Sequence, residues 1–298
     1  MRLDNLRETT NVDDRRGQFG GGGFGGGGFG GFGGTGVPIR AGGMGIVGFI
    51  ILAVLFGSNG GGGLLTGTDD SGGQTSQYSS GPHSDDAEFD FAKKIIGSTE
   101  DVWTPILAAK GIAYQPAIFT PYDSSTSTGC GEGSAAAGPF YCPEDHRVYI
   151  DLSFFNELKD RFGAPGQFAQ AYVIAHEVGH NVQNNLGTME REQAQLQGAG
   201  AKGPTGASVR LELQADCYAG VWAYNADKKF HILESGDVEG GLRAASAVGD
   251  DTLEKQSQGY VVPDSFTHGT SDQRMRWFKR GLSRGNMDDC DTFGAATL

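Results

Sequence analysis

Ala175-His176-Glu177-Val178-Gly179-His180 lies in an apolar run whose reading decides the fold. Phe168, Ala171, Tyr172, Ala175, Val178 and Val182 recur three and four residues apart, which predicts a helix with one buried face. Positions four apart on a helix sit one turn above each other, so His176 and His180 project the same way. Two neutral imidazoles on one face are half of a tetrahedral zinc site. Glu177, beside the first of them, is placed to take a proton from a water activated by that metal. A structural zinc site closes all four positions with protein ligands and needs no such base. The blander reading is two satisfied core histidines flanking a surface glutamate, and the helical context disfavours it.

A catalytic site needs a third protein ligand. The metzincin continuation would place Gly at 183 and His at 186, and those positions hold Gln183 and Leu186. Further on, Leu211, Ala215, Tyr218, Ala219 and Trp222 recur at helical spacing. Glu212 and Asp216 are four apart beside that apolar stripe. An unpaired buried charge is costly, so an acidic pair near a core face demands a partner. A site of two histidines and one glutamate supplies it, with Glu212 as third ligand and Asp216 accepting an N–H from a ligand histidine. Ala215, Ala219 and Gly220 are small enough to let this helix pack closely on the first. The rival reading is two solvated surface carboxylates.

The rest of the chain narrows the class. Its 298 residues carry a net charge of −13 with no Lys or Arg cluster beyond short pairs, which argues against a nucleic-acid partner. Four cysteines occur with no Cys-x-x-Cys pair, which excludes a zinc ribbon. Cys130 and Cys142 bracket a Gly/Ala/Ser loop that a disulfide closes comfortably, and Cys217 with Cys290 then follows by elimination. Both pairings presuppose an oxidising compartment.

Much of the glycine lies before position 64. Residues 1–40, charged and then Gly/Phe-rich, read as a disordered cytoplasmic segment that cannot bury enough surface to fold. The apolar stretch Met44–Gly57 is shorter than the ~20 residues a span needs, yet no charge appears between Arg40 and Asp69. A cleaved signal peptide fits poorly with so long a leader before it. Residues 41–58 therefore read as one transmembrane signal anchor. Arg15, Arg16 and Arg40 precede it and Asp69, Asp70, Asp85 and Asp86 follow it, which places the N-terminus in the cytoplasm. The expectation is a single-pass inner-membrane protein with its domain on the periplasmic, extracytoplasmic side. Residues 59–86 read as a tether and 87–298 as the globular domain.

Within that domain, one helix is expected over Asp85–Ile96 and a second around Thr99–Lys110. A strand is expected at Tyr114–Phe119, then a hairpin of Gly138–Cys142 with Arg147–Leu152. The fold class is α+β, with a small antiparallel sheet on one side, a helical half carrying Glu212 on the other, and the His-Glu-x-x-His helix between them. Asp250 and Asp251 read as a helix cap rather than a calcium site.

Three stretches carry a family resemblance: Ala175 to Gln183, Glu212-Leu213-Gln214-Ala215-Asp216-Cys217-Tyr218-Ala219-Gly220-Val221-Trp222, and Thr267-His268-Gly269-Thr270-Ser271-Asp272-Gln273-Arg274. They resemble the putative neutral zinc metallopeptidase family of bacteria, as do Asn11–Gly17, the hydrophobic span and Gly138–Pro143. The Glu-x-x-x-Asp pattern is similar to gluzincins, including membrane-linked peptidases. The resemblance implies a zincin-like domain binding one Zn2+ through His176, His180 and Glu212, with a peptide or protein as substrate. It implies that Gly133-Ser134-Ala135, leading to Phe140, is an edge strand pairing with the substrate backbone. It also implies that His268 donates to the oxyanion of the reaction, against a rival reading as a helix-entry turn capped by Ser271. A catalytically silent, membrane-tethered binding protein is the alternative from another class, and it would gain nothing from Glu177.

Overall fold

The computed structural model describes residues 1–18 and 83–298. The expected anchor at 41–58 and nearly all of the tether at 59–86 lie outside the described residues. Among the described residues, no helix is long and apolar enough to cross a membrane.

The architecture is a mixed α+β one. It opens with α1 (Asp86–Ala108), a single helix where the sequence predicts two. Ser98 and Thr99 do not break it, because their hydroxyls donate back to the carbonyls of Ile95 at 2.6 Å and Ile96 at 2.7 Å. Next come β1 (Ile118–Pro121), β2 (Ser125–Thr128), β3 (Gly131–Ser134), β4 (Phe140–Cys142) and β5 (Arg147–Ile150). The predicted hairpin forms, with β4 antiparallel to β5. The sheet is nevertheless mixed and not purely antiparallel: its order is β1-β5-β4, and β1 runs parallel to β5. The connection from β1 holds a separate hairpin, β2–β3, and brings the chain back to pair along the far side of β5. The strand expected from Tyr114 starts only at Ile118.

Residues 1–18 are ordered, against the expectation of a disordered segment over 1–40. Val12 and Arg15 form parallel bridges with Phe119 and Tyr122, extending the sheet beyond β1. Leu6, Thr9 and Arg16 are buried. The mixed charges that read as a solvated stretch are ion pairs with distant residues, such as Arg147 with Asp13 at 2.5 Å.

The helical half follows: α2 (Phe154–Asp160), α3 (Gln167–Asn185), α4 (Thr188–Arg191), α5 (Gln193–Leu196), α6 (Ala207–Phe230), α7 (Asp237–Ala247), α8 (Asp250–Gln258) and α9 (Ser271–Arg284). The apolar stripe of α3 is buried, and Phe168 stacks on Trp222 of α6 with ring centroids 6.2 Å apart. Each such side chain contributes about 1.5–3 kcal/mol by leaving water. Gly179 sets how closely α3 and α6 approach, since a Cβ there would lie 3.1 Å from the Ala215 Cα. Both expected disulfides are present. Cys130–Cys142 ties the β2–β3 hairpin to β4, and Cys217–Cys290 ties α6 to the C-terminal segment.

Candidate active site

The close packing of α3 on α6 brings together side chains that lie more than thirty residues apart in sequence. On α3, His176 and His180 face Glu212 of α6. His176 Nε2 lies 3.1 Å from Glu212 Oε2, and His180 Nε2 lies 3.4 Å from Glu212 Oε1. One donor atom from each of the three falls within 4.8 Å of the other two, and all three residues are buried.

What lies behind each imidazole fixes which nitrogen faces the cluster. A carboxylate can only accept, so His176 Nδ1–H donates to Asp216 Oδ1 at 2.9 Å. Asp216 also receives Tyr172 Oη–H at 2.5 Å, Arg274 Nε at 2.8 Å and Arg274 Nη2 at 2.9 Å. Behind His180 stands Gln183. Its amide nitrogen donates to the Leu211 carbonyl at 2.7 Å, which leaves its oxygen to accept from His180 Nδ1–H at 2.8 Å. Both rings thereby present Nε2 toward Glu212, the tautomer a metal ligand requires.

Charges of both signs are buried together in this group. Glu177, Glu212 and Asp216 are all buried, with Arg274 among them. Burial alone would lower the His176 pKa, but Asp216 and Glu212 override it and raise it to about 10. Burial lowers His180 to about 4, so that ring stays neutral. Burial would raise Glu212, yet the facing histidines hold it well below the usual carboxylate range. Asp216 is held at about 2 against its own burial, chiefly by Arg274. Two histidines and an ionised glutamate, each ring fixed from behind, fit Zn2+ in donor chemistry.

Glu177 stands apart from this set. It lines the same cleft as His176, His180, Glu212, His268 and Arg274. Burial, reinforced by Glu212, pushes its pKa up to about 7, which suits a group that must both take and give a proton.

His268 also lines the cleft. Asp250 holds it, with Oδ1 3.0 Å from His268 Nδ1 and Oδ2 accepting the backbone N–H groups of Thr267, His268 and Gly269. Burial opposes charge on His268, but Asp250 wins and raises its pKa. The helix cap expected at Ser271 is instead Thr270, which forms a capping box with Gln273. Ser271 Oγ donates to the Ser246 carbonyl. Asp250 and Asp251 are not caps of α8 either, whose N-cap is Gly249.

Ser134 and Ala135 are not among the residues lining the cleft. Ser134 ends β3, paired with Ser125 of β2, and Ala135 opens a 3-10 turn, Ala135–Ala137. The cleft wall on this side is Ala137, Pro139, Phe140 and Tyr141, a few residues later.

Sequence reading gave no role to Gln183, Tyr172 or Arg274. Gln183 is a mismatch to one motif and the end of a stretch shared with the family, and Tyr172 is part of the core face of α3. A buried amide or guanidinium has no periodic signature. The available signal was Arg274 lying inside a motif shared with a family.

His176, His180 and Glu212 form a buried donor set that could hold a metal ion, with Glu177 beside it on the cleft. The chain belongs to the putative neutral zinc metallopeptidase family, which it matches over residues 1–293. It is similar to the uncharacterized protein YpfJ of Escherichia coli K12, at 46% identity over 296 residues, 99% of both chains. It is also similar to the uncharacterized protein Rv2575 of Mycobacterium tuberculosis H37Rv, at 43% identity over 211 residues, 67% of this chain and 69% of the other. No solved structure matches the chain.

Proposed function

We propose that this protein is a zinc-dependent peptidase with a zincin-like domain, His176, His180 and Glu212 holding one Zn2+. When bound, the metal would polarise the scissile carbonyl and acidify a water. Glu177 accepts the proton of the attacking water and passes it to the leaving amine. His268, held in place by Asp250, donates to the oxygen on which negative charge develops. The outer edge of β4, with Phe140 and Tyr141 on the cleft wall, receives the substrate as an added strand. The two disulfides support an extracytoplasmic domain, and the apolar stretch Met44–Gly57 supports attachment to the membrane.

The observation that carries the reading is Glu177: a buried carboxylate on the cleft, next to the donor set and outside it. It is tested by incubating purified protein with an unfolded substrate and mapping the cuts, with and without chelator. Glu177→Gln should keep about one zinc per chain and lose nearly all cleavage. Cleavage by Glu177→Gln at the wild-type rate would sink the proposal.

A further inference from the structure

The N-terminal eighteen residues pack onto the domain, with Leu6, Thr9 and Arg16 buried. The carboxylate of Glu100, a buried residue of α1, receives hydrogen bonds from Thr9 Oγ1 at 2.6 Å, Arg7 Nη2 at 2.7 Å and Asn11 Nδ2 at 2.9 Å. All three donors belong to the N-terminal segment. Without it, Glu100 would lose the three donors that hold its carboxylate. The segment also completes the sheet: Phe119 N–H donates to the Asn11 carbonyl, and Asp13 and Arg15 N–H donate to the carbonyls of Phe119 and Pro121, each at 2.9 Å. Gly97 is the contact point on α1, where a Cβ would come within 2.5 Å of the Arg7 carbonyl oxygen.

The chain leaves and re-enters the described structure at neighbouring points. The Arg16 guanidinium bonds Asp85 at 3.0 Å and Asp86 at 3.2 Å, and lies 4.0 Å over the Phe89 ring. Its side chain is only 3% exposed. His83 N–H, the first group described after the gap, donates to the same Asp86. These contacts exist only if both sides of the gap share one aqueous compartment.

We propose that residues 1–18 and 83–298 lie on the same side of the membrane, as one folded unit. The connection over 19–82 therefore begins and ends on one face. This departs from the expectation that a single crossing separates the N-terminus from the domain. Two of the three arginines that suggested that crossing are not free topogenic charges: Arg15 is paired with Asp13, and Arg16 with Asp14, Asp85 and Asp86, while Arg40 lies outside the described residues. The proposal stands independently of the peptidase reading.

The test uses the full chain in cells. Its four cysteines are all disulfide-bonded, so an added cysteine is the reactive one. Asp4→Cys and Lys279→Cys place thiols at exposed positions of the segment and of α9. Each variant is treated with a membrane-impermeant maleimide in spheroplasts and after lysis, with the wild-type chain as blank. The expected result is one pattern for both variants, labelled in intact spheroplasts or only after lysis. One thiol labelled in intact spheroplasts and the other only after lysis would overturn the proposal.

Discussion

His176 and His180 stand one turn apart on the same helix and face the same glutamate, yet nothing behind them is alike. Behind His176 is a charged relay: Asp216, clamped by Arg274 and Tyr172. Behind His180 is a neutral amide, Gln183, clamped by the Leu211 carbonyl and the Gln214 side chain. Both arrangements fix the tautomer. Only the first adds charge, and the two ring pKa values diverge accordingly, to about 10 and about 4. A carboxylate partner makes a ring a stronger ligand at the cost of a buried anion that must itself be neutralised. The amide avoids that cost and gives the weaker effect.

The largest test of this contrast is stability. Arg274→Met leaves Asp216 buried without its guanidinium, so the variant should lose about 3–5 kcal/mol. Gln183→Leu, which breaks only neutral hydrogen bonds, should lose about 1–3 kcal/mol. Urea unfolding of the chelated proteins measures both, and equal losses would abolish the distinction.

Metal affinity gives the next effect. Asp216→Asn should weaken zinc binding by up to about a hundredfold, and Gln183→Leu by nearer tenfold, both within the range for groups behind a ligand. Competition against a chromophoric chelator reads the ratio. A greater loss in the Gln183 variant would invert the argument.

The smallest effect concerns His268, a third histidine backed by a carboxylate but lying outside the donor set. Its folded pKa is raised above the ordinary 6.5, so its pairing with Asp250 stabilises fully below that value and fades as pH rises through the folded pKa. Asp250 is lowered from 3.8, so its share is present above that value and fades as pH falls through its own folded pKa. In chelated protein, the destabilisation by His268→Gln should reach about 1 kcal/mol near pH 5–6 and shrink toward pH 9. A deficit that grows with pH would contradict the charged pairing.

These environments also mark where sequence reading succeeds and stops. His176, Glu177 and His180 are legible because helical periodicity is local, and Glu212 with Asp216 because a carboxylate pair beside an apolar stripe needs a reason. Gln183 and Arg274 were not, since a buried polar group declares itself only through partners that the fold brings to it. The same limit hid the N-terminal segment, whose ion pairs reach across as many as 236 residues. It also hid the parallel pairing of β1 with β5, which a hairpin signal does not encode. Of the stretch from Gly133 to Phe140, the far end lines the cleft while Ser134 and Ala135 do not, because the Ala135–Ala137 turn intervenes between β3 and the cleft.

The three bonds onto Glu100 also set a timetable. A ribosome makes Thr9 some 91 residues before Glu100. At about 5–20 residues per second, the segment emerges on the order of ten seconds before its partner exists. It must stay soluble and unclaimed through that interval, which its dense charges favour.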